Sequence, residues 1–298
     1  MVDVIIAGAG PAGLSAAIYA KRAGLSVLVL DKSEAECQVT RSVEVENYLG
    51  MNSISGDELY SKFKEHALSS GVDIVRGAVT SVKRENGVIR VSTRKNEYEC
   101  ENFIIATGRV HRHIGVEGEE RLMGAGVSYC ATCDGYFFKD KTVCVVGGGD
   151  SALSQLIYLA KICSKVYLVH RRDSFRAANY LVERAKALPN VEMVLNSSVV
   201  EILGEGFVEG IRYVSEGEEK ILACDGVFGA VGEAPNMKFS VEGLSQNDGG
   251  YIKTDNYCRT NVEGIYAVGD IREKELYQIV TAVSDGALAI SGILNERI

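Results

Sequence analysis

The strongest constraint on the fold is a short apolar run that leads directly into a glycine-rich loop near the start of the chain. Residues 2–7 predict a strand, residues 8–13 read Gly-Ala-Gly-Pro-Ala-Gly, residues 14–23 predict a helix, and residues 27–30 predict a second strand. A strand, a Gly-x-Gly-x-x-Gly loop, a helix and a strand in this order open a doubly wound α/β domain.

Each glycine of this loop has its own role in binding a dinucleotide. Gly8 makes the tight turn after the strand, Gly10 lets a pyrophosphate approach the backbone, and Gly13 lets the helix pack closely. The helix N-terminus adds the positive end of its dipole. Asp31 lies 23 residues after Gly8, where a carboxylate accepts a hydrogen bond from an adenosine ribose. The segment predicts a site for an adenine dinucleotide, which favours FAD over FMN.

A second copy of the pattern lies near the middle of the chain. Residues 142–146 predict a strand, residues 147–152 read Gly-Gly-Gly-Asp-Ser-Ala, and residues 153–162 predict a helix. The next predicted strand, residues 166–169, runs into His-Arg-Arg-Asp-Ser-Phe-Arg at 170–176 and not into an acid. Arginine binds phosphate through a fork of two hydrogen bonds, so this loop predicts NADP(H) and not NAD(H). The alternative is a solvated, basic helix start.

A single Cys-x-x-Cys pair, Cys130 and Cys133, stands between these two patterns. A structural zinc site needs a second such pair or a His-x3–5-His element, and the chain has neither, so no metal site is expected. Isolated cysteines such as Cys144, inside an apolar run, predict buried strand positions. The pair indicates redox chemistry. Because a flavin mediates between a hydride donor and a disulfide, two nucleotide loops and one redox pair predict electron transfer to sulfur.

Composition and charge exclude other classes of protein. The 298 residues predict two domains, and 46% hydrophobic with 24% charged residues is an ordinary globular composition. A net charge of −8 disfavours non-specific binding to nucleic acid or anionic membranes. No apolar run reaches the ~18 residues of a membrane span, and the first one is too short for a signal segment. A cytoplasmic protein is expected.

Four motifs together resemble one known family. They are the redox stretch Cys-Ala-Thr-Cys-Asp-Gly at 130–135, the second glycine loop with its arginine motif, Ile-Ile-Ala-Thr-Gly at 104–108, and Gly-Ile-Tyr-Ala-Val-Gly-Asp at 264–270. With them the chain resembles, over nearly its whole length, the low-molecular-weight thioredoxin reductases of bacteria and archaea.

The resemblance implies two Rossmann-like dinucleotide-binding domains of three-layer α/β architecture, the second inserted in the first. An FAD domain would comprise residues 1–112 and 244–298, and an NADPH domain carrying the redox pair would comprise residues 113–243. The chain would pass two electrons from NADPH through FAD to the pair and on to thioredoxin or a similar protein. The family also implies a homodimer formed through the FAD domain.

Roles for individual residues follow from matching positions. Cys133 resembles the sulfur next to the flavin, Cys130 the thiolate that attacks the partner disulfide, and Asp134 the acid that protonates the leaving thiolate. A helix N-cap is a second, coexisting interpretation of Asp134. The candidate cofactor-binding residues are Gly8, Gly10, Pro11, Ala12, Gly13, Asp31, Gln38, Asn47, Thr107, Gly108, Gly269, Asp270 and Gln278 for FAD, and Gly147, Gly149, Asp150, Ser151, Ala152, His170, Arg171, Arg172 and Arg176 for NADPH.

Three departures from the family pattern affect the predicted flavin and donor sites. The family's Gly-Gly-Gln reads Glu36-Cys37-Gln38, its pair of glutamates is Ser154-Gln155, and its Arg-Gln-Ala is Tyr277-Gln278-Ile279. The alternatives to an NADPH-dependent thioredoxin reductase are a flavin-dependent dithiol oxidase, a reductase of a peroxiredoxin or glutaredoxin-like partner, an enzyme with another electron donor, and a non-catalytic flavoprotein.

Overall fold

The computed structural model describes residues 1–32, 37–42, 45–85 and 87–297. The chain divides into two compact units, one made of Met1–Val110 with Ala234–Ile298 and the other of His111–Glu233. The second border lies ten residues before the expected 243/244, because residues 234–243 pack with the first unit. Phe239 stacks edge-on against Phe103 with ring centroids 6.0 Å apart, and the backbone N–H of Asn236 donates to the carbonyl of Gly108.

Strands outnumber helices in both units of the described chain. The strands are β1 (Val2–Ala7), β2 (Val27–Asp31), β3 (Asp73–Arg76), β4 (Val79–Glu85), β5 (Val88–Thr93), β6 (Glu97–Ile105), β7 (Arg109–His111), β8 (Val127–Ser128), β9 (Thr142–Gly147), β10 (Lys165–Val169), β11 (Val191–Val194), β12 (Ser197–Leu203), β13 (Gly210–Ser215), β14 (Glu218–Ala223), β15 (Gly226–Ala230), β16 (Glu233–Pro235) and β17 (Ile265–Ala267).

The helices begin where capping residues or the glycine loops allow them to. They are α1 (Pro11–Arg22), α2 (Gly56–Ser69), α3 (Ala131–Asp134), α4 (Asp150–Leu159), α5 (Asn179–Lys186) and α6 (Ile279–Glu296), with 3-10 helices at Gln38–Arg41, Gly135–Phe138 and Gly269–Ile271. Both loop helices, α1 and α4, start three residues earlier than the sequence predicts, because the last loop residues already form the first helical turn. No helix in the described part of the chain is long and apolar enough to cross a membrane.

The first unit is built on a parallel sheet with an antiparallel extension. Its strand order is β3-β2-β1-β6-β5-β4, and β17 also pairs with β6 in parallel. The central strand β1 is apolar on both faces, and Val4, Ile5 and Ile6 are fully buried in it, as expected for a parallel strand covered on both sides. Helix α1 packs against α6. This is the doubly wound arrangement that the first glycine loop predicts.

The second unit repeats the plan. Its parallel sheet has the order β11-β10-β9-β15-β8, and a separate antiparallel sheet has the order β12-β13-β14. Helix α4 covers β9 and packs against α5 through a core that includes Leu153, Leu156 and Ala185. The α/β fold with two Rossmann-type units, the second inserted in the first, is therefore confirmed.

Candidate active site

Three predicted flavin motifs of the first unit follow the carboxyl ends of neighbouring strands, at the same edge of the sheet. Ala7 of β1 pairs with Ile105 of β6, and Ile105 pairs in turn with Ala267 of β17. The first glycine loop, the Thr107-Gly108 turn and the Gly269-Asp270 turn follow these three residues directly. Because the carboxyl ends of parallel strands are where α/β sheets bind their ligands, the sheet brings together segments up to 260 residues apart (Ala7 to Ala267).

The first glycine loop is closed by backbone contacts that leave no room for larger residues. Gly8 has φ +111°, and a Cβ there would overlap the carbonyl of Ala106. A Cβ on Gly13 would overlap the carbonyl of Gly8, so this glycine closes the loop on itself. Gly10, in contrast, has open space around its Cα. The loop therefore leaves one approach to the N-terminus of α1, at the residue expected to admit a pyrophosphate.

Asp31 lies beside this loop, at the end of β2. The backbone N–H of Ala9 donates to Asp31 Oδ1 over 3.3 Å, and the N–H of Gly8 donates to the carbonyl of Leu30. Asn47 and Gln278, two further candidates from distant segments, are also brought together, with Asn47 Nδ2 donating to Gln278 Oε1 over 3.1 Å. The positions of these residues fit a dinucleotide, so the first unit is suited to hold FAD.

The Gly269-Asp270 turn is packed onto the first glycine loop's helix. Gly269 has φ +74°, and a Cβ there would lie 2.8 Å from the Cβ of Ala12. Thr107, in the neighbouring turn, has a buried hydroxyl oxygen with no hydrogen-bond partner among the described residues. A buried hydroxyl without a partner is costly unless a ligand satisfies it, so Thr107 is also suited to contact a cofactor.

A charged cluster that sequence reasoning missed surrounds Asp270. Arg109 Nη2 lies 3.0 Å from Asp270 Oδ2, and Lys274 Nζ lies 3.4 Å from Asp270 Oδ1. The Arg109 guanidinium also stacks 4.3 Å above the ring of Tyr277, the residue that departs from the family's arginine. A cation is therefore present beside Tyr277, supplied from β7. The signal available in the sequence was the position of Arg109 directly after Thr107-Gly108.

Asp285, in α6, extends this cluster and holds the turn. It accepts the backbone N–H of Gly269 over 3.0 Å, and it pairs with Arg272 at 2.9 Å and Lys274 at 3.1 Å. Asp285 is only 5% exposed, so its two cationic partners offset the cost of burying its charge. The result is a turn fixed at both ends next to Asp270.

The second glycine loop has the same construction in the second unit. A Cβ on Gly147 would overlap the carbonyl of Ala230, whereas Gly149, which caps α4, has open space. Asp150, the first residue of α4, accepts the backbone N–H of Ala178 over 2.8 Å. That bond ties the helix start to the segment that follows the arginine motif. Ser151 is exposed and Ala152 is buried in the same turn.

The arginine motif is folded against this loop. His170 is buried, and a Cβ on Gly148 would overlap its ring. Its Nε2 lies 3.1 Å from the carbonyl of Ser174, and its ring stacks on Phe175 at 5.4 Å. A carbonyl only accepts, so Nε2 carries the proton of a neutral ring. Burial lowers the pKa of His170, and the charges of the neighbouring arginines lower it further.

The three arginines of the motif are exposed, unlike the histidine. Arg171, Arg172 and Arg176 form no ion pair among the described residues. The backbone N–H of Arg176 donates to the carbonyl of Gly148 over 3.0 Å, which places the motif beside the glycine loop. Three uncompensated guanidinium groups next to a helix N-terminus form a site for a phosphate-bearing ligand.

The predicted redox pair is a disulfide at the start of α3. Cys130 and Cys133 are joined, with their Cα atoms 5.3 Å apart. Cys130 is the N-cap of α3, and its Sγ accepts the backbone N–H of Cys133 over 3.2 Å. Cys133 is exposed, and Cys130 is half-buried. Asp134 is the N-cap residue of the 3-10 helix Gly135–Phe138, but its side chain makes no cap hydrogen bond there.

Asp134 instead bonds to a serine that sequence reasoning did not select. The Ser128 hydroxyl donates to Asp134 Oδ2 over 2.6 Å. Its oxygen also accepts the backbone N–H of Cys130 over 3.0 Å. Asp134 is half-buried beside the pair. Thus one hydroxyl links the Asp134 carboxyl group to the backbone of Cys130.

The five buried cysteines outside the pair have thiols that stay protonated near neutral pH. Burial raises the pKa of Cys163 to about 11 and the pKa values of Cys100, Cys224 and Cys258 to about 12. Burial also raises the pKa of Cys144 well above its ordinary value, and its strand position is the buried one predicted. A thiolate is the reactive form of cysteine, so these buried thiols are inert.

The residues of the remaining departures have different surroundings. Glu36 lies outside the described residues, Gln38 lies in a 3-10 helix, and Cys37 packs against the core of the first unit. Ser154 is exposed on α4. Gln155 has a buried Oε1 with no partner among the described residues, which leaves it able to accept a hydrogen bond from a ligand.

Comparison with known proteins agrees with this geometry. The model of the pyridine nucleotide-disulphide oxidoreductase family matches residues 2–286. The chain belongs to this family. It is 45% identical to a thioredoxin reductase of Listeria monocytogenes over 96% of this chain and 91% of that protein. It is also 45% identical to a thioredoxin reductase of Bacillus subtilis over 98% of this chain and 93% of that one.

A solved structure gives the same result. The crystal structure of Lactococcus lactis thioredoxin reductase in its FR conformation superposes with a TM-score of 0.94, at 38% identity, over 99% of this chain and 98% of that chain. The resemblance to the low-molecular-weight thioredoxin reductases is confirmed. The chain is an enzyme of the flavoprotein disulfide reductase type, in a family that binds FAD and uses NADPH.

Proposed function

We propose that this chain is a thioredoxin-disulfide reductase in which the electrons pass from NADPH, through FAD, to the Cys130–Cys133 disulfide and then to a thioredoxin. The observation that carries the proposal is the disulfide itself, half exposed at a helix start, with Ser128 joining the Cys130 backbone N–H to the Asp134 carboxyl group. The same unit contains the second glycine loop and the exposed arginines.

The residues of the first unit would hold the FAD. The open backbone at Gly10 and the start of α1 fit a pyrophosphate, and Asp31 fits a ribose hydroxyl. The rest of the cofactor would be contacted by Asp270, Thr107 and the Asn47–Gln278 pair. The remaining FAD-binding candidates named from the sequence would contact it as well. When bound, the flavin accepts a hydride and passes two electrons to a disulfide.

The residues of the second unit would hold NADPH. Arg171, Arg172 and Arg176 carry unpaired positive charge suited to a 2′-phosphate, and Gly149 leaves the start of α4 open to a pyrophosphate. His170 would hold the arginine motif in position, because its ring is buried against Gly148 and bonded to the carbonyl of Ser174. We assign the NADPH domain to this unit and the FAD domain to the first.

The exchange with the partner balances in two steps. The Cys130 thiolate attacks one partner sulfur, the partner's S–S bond breaks, and the leaving sulfur takes the proton of Asp134. Cys133 then attacks Cys130 Sγ, which restores the internal disulfide and releases, as a thiolate, the partner sulfur that Cys130 had attacked, while Asp134 recovers a proton from Cys133. The hydrogen bond from the Cys133 N–H to Cys130 Sγ supports the thiolate role of Cys130.

Two exposed aromatic side chains support a protein as the partner. Tyr136 and Phe137, just after the redox pair, are 72% and 76% exposed. Exposed aromatic residues next to a reactive group are typical of a protein-binding surface, since aromatic side chains are enriched at interfaces. A small disulfide would need no such surface.

Two broader properties belong to the same proposal. Five buried cysteines, Cys100, Cys144, Cys163, Cys224 and Cys258, form no disulfide among the described residues, which supports a reducing, cytoplasmic location. Helices α1 and α6 of the first unit expose Tyr19 and Val280, each 49% exposed, which supports a homodimer through the FAD domain. Sedimentation velocity of the FAD-loaded protein tests the dimer.

The experiment that tests the function is a coupled assay with purified, FAD-loaded protein. NADPH oxidation is followed in the presence and absence of a bacterial thioredoxin, with NADH in a parallel series. We expect thioredoxin-dependent oxidation of NADPH and little of NADH. Turnover with oxygen alone at the same rate would identify a dithiol oxidase, and turnover only with a glutaredoxin-like or peroxiredoxin partner would identify another reductase.

A further inference from the structure

Ser128 is the residue that connects the two reactive groups of the redox loop. It lies at the end of β8 and is only 6% exposed. Its Oγ is 2.6 Å from Asp134 Oδ2, 3.0 Å from the backbone nitrogen of Cys130 and 3.4 Å from the carbonyl oxygen of Cys130. This buried hydroxyl therefore has three polar neighbours within 3.4 Å, one donor and two acceptors.

The capacity of a hydroxyl decides how these contacts are shared. A serine hydroxyl donates one hydrogen and accepts two. The Cys130 N–H occupies one acceptor position, so the single hydrogen of Ser128 goes either to Asp134 or to the Cys130 carbonyl. The contact with Asp134 is much the shorter, as expected for a hydroxyl that donates to a charged carboxylate.

The same hydroxyl can serve Asp134 after the carboxylate gains a proton. The acid's O–H then donates into the second acceptor position of Ser128, and the serine hydrogen turns to the Cys130 carbonyl at 3.4 Å. The Cys130 N–H bond persists throughout. Neither protonation state of Asp134 leaves a buried polar group of this loop without a partner.

Resting on the proposed function, we infer that Ser128 is a positioning residue for proton delivery. It keeps Asp134 beside the redox pair both as the acid that protonates a leaving thiolate and as the base that recovers the proton. The titratable groups of its own segment are Cys130 and Cys133, and Tyr158 of α4 lies against Gly135, the residue after Asp134. Among the described residues, the hydroxyl of Ser128 is the side-chain group that bonds to the Asp134 carboxyl.

The test separates proton delivery from a general loss of structure by the choice of disulfide. The holoenzyme's pair is reduced with dithiothreitol, desalted without oxygen, and mixed in a single turnover with either of two probes. A nitrobenzoate disulfide, 5,5′-dithiobis(2-nitrobenzoate), releases a thiolate that leaves without a proton. Hydroxyethyl disulfide releases an alkyl thiolate, which leaves faster when it is protonated.

Ser128→Ala should slow the reaction with hydroxyethyl disulfide 10- to 100-fold and the reaction with the nitrobenzoate disulfide less than threefold. Ser128→Thr, which retains the hydroxyl, should restore most of the rate, and Ser128→Val, of the same shape as threonine, should not. In an Asp134→Asn protein, Ser128→Ala should cost less than a further twofold.

Three results would overturn the inference. They are equal slowing of both probes by Ser128→Ala, equal rates for Ser128→Thr and Ser128→Val, and an undiminished effect of Ser128→Ala in the Asp134→Asn protein. If neither threonine nor valine is accommodated at this buried position, as thermal unfolding would show, the alanine variant in the two backgrounds decides. Because the single turnover uses neither NADPH nor thioredoxin, a wild-type protein inactive in the coupled assay would disprove the function and leave this test intact.

Discussion

The imidazole of His170 fills the space in which a side chain on Gly148 would have to lie. The ring is held there by its bond to the Ser174 carbonyl and by stacking on Phe175. The arginine motif is thus seated on the second glycine loop by one buried, neutral side chain. We therefore expect donor specificity to depend on a residue that need not contact the donor.

Alanine substitutions at two glycines of the second unit should separate this contact from the general effect of a lost glycine. Gly148→Ala should weaken NADPH binding tenfold or more, because the new methyl displaces His170. Gly206→Ala, at an exposed position with open space outside the glycine loop, should change it less than threefold. His170→Ala in the Gly148→Ala protein should recover part of the loss. Isothermal titration with NADPH measures all three, and equal effects of the two glycine variants would contradict the prediction.

The arginine cluster should determine the choice between NADPH and NADH. Loss of one charge-assisted hydrogen bond costs about 1.5–3 kcal/mol, or roughly 10- to 150-fold in affinity. The double variant Arg171→Ala with Arg172→Ala should therefore lose most of the preference for NADPH while its flavin content stays unchanged. Titration of the wild-type and variant proteins with both nucleotides tests this. Equal affinity of the wild type for the two nucleotides would point to another electron donor.

Arg109 should contribute to FAD retention through Asp270 and Tyr277. Its ion pair with Asp270 is mostly buried, with side chains 17% and 16% exposed, so removing this cation leaves the carboxylate only the longer contact with Lys274. Arg109→Met should weaken FAD binding about tenfold, and Arg109→Lys should weaken it less. Fluorescence titration of the apoprotein with FAD provides the measurement. An unchanged dissociation constant in the methionine variant would show that the cluster does not reach the cofactor.

Phe137 should matter for the protein partner and not for small disulfides. Phe137→Ala should raise the KM for thioredoxin severalfold and leave turnover of 5,5′-dithiobis(2-nitrobenzoate) unchanged. Phe207→Ala is a matched control, since Phe207 is exposed to almost the same degree, 75% against 76%, but lies away from the redox pair in sequence. A thioredoxin KM that changes equally in both variants, or in neither, would remove Phe137 from the partner surface.

Asp3 predicts a pH dependence of stability in the first unit. Hydrogen bonds from Ser26 and Arg297 lower the pKa of Asp3 from 3.8 to about 2. A carboxylate with a lowered pKa stabilises the fold above its unfolded pKa and loses that contribution as the pH falls towards its folded pKa. Asp3→Asn should destabilise the protein at pH 7 by no more than ~1 kcal/mol, and the difference from wild type should shrink between pH 4 and pH 2. Urea unfolding at several pH values tests this, and a difference that does not vary with pH would contradict it.

The sequence predicted those parts of the fold that follow from local patterns. The strands and glycine loops were recognisable because a buried parallel strand is apolar and because Gly8, Gly13 and Gly147 occupy positions where a Cβ would overlap backbone atoms. The starts of α1 and α4 were placed three residues late, since loop and first helical turn overlap there. The border near residue 234 was missed because only tertiary packing, such as Phe239 on Phe103, assigns that segment.

The parts of the site that sequence could not predict depend on contacts between distant segments or on ordinary residue types. Arg109 and Tyr277 are 168 positions apart, and no local pattern in either segment predicts that they stack. Serine is common in strands, so the role of Ser128 could be inferred only from its distance to Asp134. His170 was grouped with the arginines by motif, yet its burial gives it a supporting position that composition does not reveal.

Electron uptake by the holoenzyme tests most directly whether electrons pass through the flavin to the Cys130–Cys133 disulfide. In an anaerobic titration with NADPH, the wild type should consume about two equivalents per FAD, one for the flavin and one for the disulfide. Cys133→Ser should consume about one equivalent, with its flavin still bleached, and should not reduce thioredoxin. Equal uptake by both proteins, or thioredoxin reduction by the variant at the wild-type rate, would show that the disulfide is not on the path of the electrons.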